Sequence, residues 1–359
     1  MQAPEKILIV RFSSIGDIVL ASPLMRSLRT AFPEARIDFL VKSEYAELVR
    51  HNPNLSSIIE LNASGRDELR RLKEQIHAER YDVILDLHNS LRSKYIRFFS
   101  GAKSVRVVNK HAVARLMLVR FKRRFYPKPI PPVAERYLET ASGLGVVNDG
   151  KGLEVVVPYE QATEVASLMS KYSLDKYSST IGFVPSSKHF TKRWPAGKFV
   201  ELGIELAAKE NVKVLIFGGK EDVEYCGDIA QMINARAGRT AAESVAGKFS
   251  LLETAAAFDA CHLVVTNDTG LMHVAAARKK KVVAIFGSTV EEFGFFPYGT
   301  EYSVVQRDEL PCRPCTHVGL ASCPRGHFRC MKDIQATEVF KSVQMLLAKE
   351  STNTSANYA

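Results

Sequence analysis

Residues 263–277 read LVVTNDTGLMHVAAA, which predicts a short strand, a polar turn and the start of a helix. The first four residues are apolar or β-branched, and the Ala-rich composition from Leu271 onward is typical of a helix. In such a unit the first backbone N–H groups of the helix point outward and can hold an anion. We therefore expect an anion site at Asp268, Thr269, Gly270 and His273, with an ordinary N-capped helix as the alternative.

Strands alternate with helices along both halves of the chain. The first half has predicted strands at residues 6–11, 37–41, 57–61, 83–87 and 104–108, and the second at 180–184, 213–217, 263–266 and 282–286. Helical spacing covers residues 18–32, 136–144, 196–210 and 336–349, and Ser250 with Glu253 matches a capping box. This alternation predicts an α/β fold of two doubly wound parallel sheets, with ligands beyond the carboxyl ends of the strands. We place the domains at residues 1–160 and 179–335, followed by a terminal helix over 336–349 and a flexible tail over 350–359.

The composition is that of a globular protein of two domains. The 359 residues are 46% hydrophobic and 25% charged. The apolar run at the N-terminus is too short for a signal peptide, and no stretch approaches the ~20 apolar residues of a membrane helix. We expect a cytoplasmic location, where the six cysteines would be mostly reduced.

Positive charge is concentrated in one segment. The net charge is +10, yet residues 87–134 contain twelve Lys and Arg and no Asp or Glu, so the rest of the chain is slightly acidic. Aromatic and aliphatic residues are interleaved with these charges. A solvated face is one interpretation, but the length and single sign of the run favour an anionic partner: nucleic acid, a membrane surface or a phosphorylated substrate.

Two further turns contain residues suited to chemistry. Ser13, Ser14 and Asp17 follow the first strand, where a carboxylate suits a general base or an anion-binding turn; a helix start capped by Asp17 is the alternative. Lys192 precedes a helix-opening Pro in the second half, where it suits a phosphate; a solvated lysine, with the single Trp at position 194 simply packing, is the alternative. The same half places Ser186 and Ser187 near that lysine, and Glu221 where an acidic residue would accept hydrogen bonds from a ribose.

Several common nucleotide and metal motifs are absent from the sequence. There is no G-x-G-x-x-G fingerprint, no P-loop and no Asp-x-Asp pair that would tie a metal to a sugar diphosphate. Cys312, Cys315, Cys323 and Cys330 lie within nineteen residues, which predicts a structural zinc site, with a redox-sensitive or structural thiol cluster as the alternative. Cys226 and Cys261 are expected in the core.

Three segments together resemble the ADP-heptose:lipopolysaccharide heptosyltransferases of glycosyltransferase family 9. They are KILIVRFSSIGDIVLASP near the N-terminus, TKRWP, and NDTGLMHVAAA. The resemblance implies a GT-B fold, two Rossmann-like domains facing across a cleft, with the last helix crossing back to the first domain. It also implies inverting, metal-independent transfer of heptose from ADP-heptose to the anionic lipopolysaccharide core, so no catalytic cofactor is expected.

The resemblance also assigns roles to individual residues. Asp17 matches the catalytic base. The residues matching the donor site are Ser186, Ser187, Lys192, Glu221, Asp268, Thr269, Gly270 and His273. The residues expected on the acceptor side are Arg11, Ser13, Ser14, Arg92 and Arg136. The basic segment would face the acceptor, Kdo-lipid A or its heptosylated form, at the cytoplasmic face of the inner membrane. The cysteine cluster departs from the core family pattern and resembles a subset assigned to heptosyltransferase II.

Two alternatives differ in class from this interpretation. One is another GT-B nucleotide-sugar enzyme, either an epimerase or a different transferase. The other is a zinc-stabilised nucleic-acid-binding module that uses the basic segment and the cysteines. It predicts a steep salt dependence of DNA or RNA binding and no action on nucleotide sugars. The favoured interpretation predicts no nucleic-acid partner.

Overall fold

A computed structural model describes residues 3–62 and 65–355 of the chain, and these residues form two compact units. Unit 1 consists of the described residues of Met1–Ala112 and Pro131–Val156, and unit 2 of those of Val113–Ile130 and Val157–Ala359. The basic segment is therefore divided, because Val113–Ile130 groups with unit 2 although it lies in the sequence between two parts of unit 1.

Unit 1 is built on a parallel sheet with strand order β3-β2-β1-β4-β5. The strands are β1 (Lys6–Val10), β2 (Arg36–Lys42), β3 (Ser57–Leu61), β4 (Val83–Asp86) and β5 (Ser104–Val107). The helices that precede residue 156 in the chain are α1 (Ile15–Val19), α2 (Ser22–Ala31), α3 (Glu47–Arg50), α4 (Arg66–Glu79), α5 (Leu91–Phe98), α6 (Ala112–Phe121) and α7 (Val133–Glu139). Of these helices, α6 belongs to unit 2 from Val113 onward.

Unit 2 is built on a second parallel sheet with strand order β11-β10-β9-β6-β7-β8. The strands are β6 (Ser179–Val184), β7 (Val212–Ile216), β8 (Ala242–Ser244), β9 (Leu263–Asn267), β10 (Lys281–Phe286) and β11 (Tyr302–Gln306). The helices are α8 (Tyr159–Ser170), α9 (Ala196–Lys209), α10 (Val223–Ala237), α11 (Leu251–Ala257), α12 (Gly270–Ala277), α13 (Arg329–Lys332) and α14 (Ala336–Ser355).

The central strands are buried on both faces, which explains their continuous apolar composition. All five residues of β9 are buried, as are the last four of β1. Parallel strands covered by helices on both sides remove their apolar side chains from water entirely, at about 1.5–3 kcal/mol for each large side chain. Residues that follow these strands are consequently held at the carboxyl edge of a rigid sheet.

The predicted strands and most predicted helices are confirmed, and the differences have local causes. The helix expected over residues 18–32 is two helices, α1 and α2, with Pro23 in the first turn of the second. Proline has no N–H to donate and is favoured at a helix start, so the chain begins a new helix there. Strands β8 and β11 were not predicted, because β8 is only three residues long and β11 is half-exposed.

Helix α14 extends further than the sequence predicts. It reaches Ser355, so the first part of the tail predicted over 350–359 is helical, and residues 356–359 lie outside the described residues. Val339, Phe340, Val343 and Leu346 of this helix are buried in the core of unit 2. None of the described helices is both long enough and apolar enough to span a bilayer.

Candidate active site

Asp17 lies in the short helix α1, directly after β1, in the position that the sequence predicts. Ser14 is the N-cap residue, and its backbone N–H and its hydroxyl both donate to Asp17 Oδ2, at 3.2 and 3.1 Å. The predicted helix-start role of Asp17 is thus real: it supplies the acidic half of a capping box. The same hydrogen bonds fix the direction in which the carboxylate points, so the capping role and a role as base are compatible.

The second oxygen of Asp17 is held by residues from elsewhere in unit 1. Arg11 Nη2 lies 2.6 Å from Asp17 Oδ1, and the Tyr137 hydroxyl donates to the same oxygen at 3.3 Å. Arg11 is itself fixed, because its Nε donates to the carbonyl of Ser13 at 2.8 Å and its Nη1 to the carbonyl of Leu87 at 2.5 Å. Its guanidinium also stacks over the Tyr137 ring, 5.6 Å from the centroid.

These contacts set the charge state of the cluster. Burial acts to raise the pKa of Asp17, but the Arg11 charge and the Ser14 hydrogen bonds outweigh it, and the pKa lies below its ordinary value. The pKa of Tyr137 is raised well above its ordinary value, chiefly by burial, so the phenol keeps its proton. Asp17 is therefore an ionised carboxylate held by a cation and two hydroxyl donors.

The other residues expected on the acceptor side are dispersed around unit 1. Arg92, near the start of α5, stacks over the Phe12 ring at 5.7 Å. Arg136 is 5% exposed and its Nε donates to the carbonyl of Pro131 at 2.9 Å. His88, which no sequence pattern singles out, packs against Phe12 at 4.7 Å, and its pKa is lowered to about 3 by burial and by the charges of Arg11 and Lys110. A neutral imidazole thus lies among cations near Asp17.

The second cluster lies in unit 2, where the ends of three adjacent strands meet. Lys192 follows β6, Asp268 follows β9 and Thr289 follows β10. Lys192 Nζ lies 2.7 Å from Asp268 Oδ2, and the Thr289 hydroxyl donates to the same oxygen at 2.6 Å. Two of the three charged residues predicted for the donor site, Lys192 and Asp268, are therefore in direct contact at the ends of neighbouring strands.

Buried contacts hold the turn that carries Lys192. The fully buried Trp194 donates its backbone N–H to Asn267 Oδ1 at 3.0 Å and its indole N–H to the carbonyl of Ile334 at 3.1 Å. Asn267 Nδ2 in turn donates to the carbonyl of Pro185 at 2.7 Å. The packing role that the sequence suggests for the single Trp is thus combined with fixing the Lys192 turn against the end of β9.

The remaining predicted donor residues occupy the same edge of the sheet. Ser187 is buried with its hydroxyl 3.5 Å from the carbonyl of Asp268, while Ser186 donates to Asp222 Oδ2 at 2.7 Å. Asp222, beside the predicted Glu221, also accepts from the backbone N–H of Gly219 at 3.0 Å. Glu221 itself is exposed, so Asp222 is the acidic residue that joins the two turns.

Helix α12 begins at the predicted turn. Thr269 is its N-cap residue, but its side chain makes no capping hydrogen bond, and Asp268 is engaged with Lys192 and Thr289. The predicted alternative of an ordinary side-chain-capped helix is therefore wrong. Gly270 is the first residue of α12, and His273 is buried with its ring 6.3 Å from that of Phe295. Backbone N–H groups at a helix start that lack a side-chain cap suit an anion.

The four clustered cysteines are close to one another and form no disulfide bond. Burial raises the pKa of Cys330 to about 12, with a contribution from the nearby thiols of the other three, and Cys312 Sγ lies 3.8 Å from His327 Nε2. Within residues 3–62 and 65–355, no three His, Cys, Asp or Glu side chains are arranged to hold a metal ion as they stand. Structural zinc at the cysteines stays a prediction.

The cysteine loop, residues 312–330, is tied to the turns of the second cluster. Thr191 forms two hydrogen bonds with this loop: its N–H donates to the carbonyl of Leu320 at 3.1 Å, and its hydroxyl accepts from the N–H of Leu320 at 2.9 Å. The N–H of Cys315 donates to the carbonyl of Ser288 at 3.3 Å, and Arg313 Nη2 donates to that of Thr289 at 2.8 Å. The loop thus supports the turns that carry Lys192 and Thr289.

Sequence patterns did not lead to Tyr137, Asp222 or Thr289. Thr289 had a detectable pattern, because GST follows the apolar strand VVAIF as NDTG follows LVVT. Asp222 is one residue from the predicted Glu221. For Tyr137 there was no pattern, since it lies 120 residues from Asp17 in the chain.

Comparison with known proteins identifies the family. Residues 69–322 match the family model described as glycosyltransferase family 9 (heptosyltransferase). The chain is 31% identical over 297 residues to lipopolysaccharide heptosyltransferase 2 of Salmonella typhimurium, covering 80% of this chain and 84% of that protein.

Solved structures agree in fold. A family 9 glycosyltransferase of Veillonella parvula superposes with a TM-score of 0.79 at 23% identity, over 96% of this chain and 98% of that one. The ADP-heptose lipopolysaccharide heptosyltransferase II of E. coli superposes with a TM-score of 0.72 at 25% identity, over 96% and 99%. The expected fold class, two doubly wound α/β domains of the GT-B type, is confirmed. The epimerase and the non-enzymatic module are therefore set aside, and the chain belongs to glycosyltransferase family 9, the heptosyltransferases.

Proposed function

We propose that this glycosyltransferase transfers heptose from ADP-heptose to the lipopolysaccharide inner core, with inversion at the anomeric carbon and without a catalytic metal ion. The similarity to lipopolysaccharide heptosyltransferases, one of them named for ADP-heptose, supports the donor and acceptor classes. The observation that carries the mechanism is the ionised Asp17, fixed by Arg11, Ser14 and Tyr137 in unit 1. A carboxylate held in one orientation is suited to accept the proton of an attacking hydroxyl.

The proposed reaction is a single displacement. The acceptor oxygen forms a bond to the anomeric carbon while the bond from that carbon to the diphosphate oxygen breaks, and the hydroxyl proton passes to Asp17. ADP leaves with the electron pair of the broken bond. Attack opposite the leaving group inverts the configuration, which needs only one base and no covalent intermediate on the protein.

Lys192 and the start of α12 would stabilise the departing ADP. A lysine ammonium has three N–H donors, so the contact with Asp268 leaves donors for phosphate oxygens. Fixed positive charge and helix N–H groups at the leaving oxygen replace the divalent cation that other sugar transferases tie with carboxylates. The remaining donor residues, Ser186, Ser187, Glu221, Thr269, Gly270 and His273, would complete the nucleotide-sugar site.

We assign the acceptor side to unit 1. Ser13 and Ser14 lie close to Asp17 in the chain, and Arg11 contacts it. Arg92 and Arg136 lie elsewhere in unit 1, over Phe12 and against the carbonyl of Pro131. In the structure Arg11 is engaged with Asp17, so its part is to position the base, while Arg92 lies nearer solvent and suits an anionic sugar. Because this acceptor is anchored in a membrane, we also propose peripheral contact with the cytoplasmic face of the inner membrane. We propose structural zinc at Cys312, Cys315, Cys323 and Cys330, and no nucleic-acid partner.

The test is transfer by the purified protein. ADP-heptose is incubated with lipopolysaccharide from a heptose-deficient strain and, separately, with the core carrying one heptose. Mass spectrometry should show one added heptose on one of the two acceptors, and NMR of the product should show inverted anomeric configuration. Retention of configuration, or transfer from UDP- or GDP-sugars in place of ADP-heptose, would overturn the proposal.

A further inference from the structure

We propose that helix α6 and the segment after it, residues 112–128, dock unit 2 onto an anionic phospholipid surface. This inference rests on the proposed function for its choice of partner, because the proposed acceptor is embedded in a bilayer. The residues that carry it, their burial and their contacts belong to unit 2 alone.

Helix α6 has apolar side chains on two opposite faces. One face packs against unit 2, and the other is exposed. Leu118 is buried against Val290 and Phe293. On the opposite side Val113 is 75% exposed and Leu116 is 61% exposed. An amphipathic surface helix normally turns charged residues outward, so an outward apolar face needs another explanation.

Aromatic side chains continue this surface at the end of the helix and just after it. Phe121 and Phe125 are 59% and 60% exposed. Basic residues lie within α6, between these two Phe residues and just after them, with no Asp or Glu among them: Arg115, Arg120, Lys122, Arg123, Arg124 and Lys128. Exposed Phe and Leu mixed with Lys and Arg are characteristic of segments that lie at a membrane interface. The apolar groups enter the headgroup region while the cations meet lipid phosphates.

The charge pattern favours a bilayer over other partners. Exposed aromatic groups could stack on nucleic-acid bases, but the exposed aliphatic side chains of Val113 and Leu116 would gain nothing from nucleic acid or from a soluble anion. A second copy of the chain would bring like charges together if it docked through the same face. An anionic lipid surface satisfies both the charge and the apolar area.

The segment is joined by hydrogen bonds and packing to the loops beside the donor cluster, the group formed by Lys192, Asp268 and Thr289. Lys122 Nζ donates to the carbonyl of Pro314 at 2.5 Å, and Arg124 pairs with Glu292 at 2.9 Å. Val290, against which Leu118 packs, directly follows Thr289, whose hydroxyl donates to Asp268. Docking through this surface would therefore hold the donor cluster at a constant distance from the lipid.

The experiment is vesicle binding by the full chain. Co-sedimentation is measured with vesicles of phosphatidylethanolamine and phosphatidylglycerol, and with phosphatidylcholine vesicles alone. We expect the wild-type chain to bind the anionic vesicles ~10-fold or more tightly, with affinity falling as salt rises. Leu116→Ser/Phe125→Ser, which keeps every charge, should lose ~10-fold or more in affinity for the anionic vesicles.

Controls separate docking from folding and self-association. Tyr159→Ser/Val223→Ser removes exposed apolar groups elsewhere in unit 2 and should bind vesicles as the wild type does. ADP affinity and thermal unfolding, measured on both double variants, establish that they are folded. If Leu116→Ser/Phe125→Ser does not fold, Arg120→Gln/Arg123→Gln replaces it and should lose most of the salt-dependent binding.

The outcomes distinguish this inference from the proposed function. Unchanged vesicle binding by the docking variants would overturn the inference, as would a change of oligomeric state that accompanies loss of binding. Wild-type binding to RNA or DNA that vesicles do not displace would also overturn it. Heptose transfer to a deacylated, water-soluble acceptor is measured in parallel: its absence contradicts the proposed function while leaving the docking result standing.

Discussion

Among single residues, Asp17 is the group that we propose as the catalytic base. Its carboxylate accepts from Ser14 and Tyr137 and pairs with Arg11. Asp17→Asn keeps the shape of the side chain but removes its basicity. We expect kcat to fall ~10²-fold or more, as for loss of a general base, with ADP affinity nearly unchanged. Isothermal titration and initial rates check both; wild-type turnover by the variant would exclude the role.

The pKa of Asp17 leads to a prediction about pH. In the proposed mechanism the ionised form of Asp17 is the base. The rate should therefore fall as pH falls through this pKa, which Arg11 and Ser14 hold below the ordinary value. The acid limb of the kcat/KM profile should therefore lie below about pH 4 in the wild-type chain. Arg11→Met removes the positive charge, so the limb should move to higher pH. Arg70→Met, an exposed arginine of α4, is the control and should leave the profile in place.

Lys192 should act on binding and rate together. In the proposed site, the contact of Lys192 with the diphosphate would exist in the bound donor and strengthen as ADP leaves. Lys192→Ala should therefore weaken ADP affinity and lower kcat, each by ~10-fold or more. Lys198→Ala is the matched control. Lys198 lies near the start of α9, and its Nζ contacts Glu201 of the same helix at 2.9 Å and Gln335 at 3.0 Å, so it is engaged away from the Lys192–Asp268 pair. Equal ADP affinity in the Lys192 variant and the wild type would count against the donor assignment.

Among the elements, the close packing of turns decides where the donor residues lie. A Cβ on Gly287 would lie 2.9 Å from the carbonyl oxygen of Thr191 and 2.8 Å from Met331 Cε. Gly287→Ala should therefore separate the turn after β10 from the Lys192 turn. Overpacking of this kind costs about 1–3 kcal/mol of unfolding free energy. We expect a lower midpoint of thermal unfolding and weaker ADP binding.

The control for that packing is a glycine with room beside it. Around Gly197, near the start of α9, no neighbouring atom lies within 4 Å of the position that a Cβ would occupy, so Gly197→Ala should be neutral or slightly stabilising. If both variants bind ADP as the wild type does, the spacing of the two turns does not determine the donor site. Unfolding in urea reports the stability difference independently of ligand.

For the molecule as a whole, the response to chelation separates two uses of a metal. Without a catalytic metal, activity should survive a short exposure to EDTA. A structural zinc at the cysteine loop would instead be lost slowly, with falling thermal stability, because metal binding and folding are coupled. Zinc analysis beside Cys312→Ser/Cys315→Ser measures the second effect. Immediate inactivation by EDTA that magnesium reverses would overturn the metal-free mechanism.

The contacts of the cysteine loop explain why loss of a structural zinc would also lower enzyme activity. Its residues contact Thr191 and the carbonyls of Ser288 and Thr289, which lie beside the Lys192–Asp268 pair. Disorder in the loop would therefore remove support from the donor turns. We expect the cysteine variant, if it loses zinc, to lose ADP affinity in parallel with thermal stability.

Local sequence patterns were sufficient to predict the strands, most helices and the turns that follow the strands. Continuous apolar runs such as KILIV and LVVTN predict buried parallel strands because burial on both faces removes the need for alternation. The capping box of Ser250 and Glu253 is present as predicted, with the Ser250 N–H donating to Glu253 Oε2 at 2.7 Å. Asp17, Lys192 and Asp268 were found because each follows such a strand. These patterns are local, so a single chain segment is enough to reveal them.

Which of these turns meet depends instead on tertiary packing. The order β11-β10-β9-β6-β7-β8 places Thr289 beside Asp268 and Lys192, although no local pattern specifies that order. The return of α7 brings Tyr137 to Asp17 across 120 residues, and Val113–Ile130 packs with unit 2. Strand order and the path of connecting segments follow from the packing of the complete core. They depend on contacts between residues far apart in the chain, which periodicity and spacing do not encode.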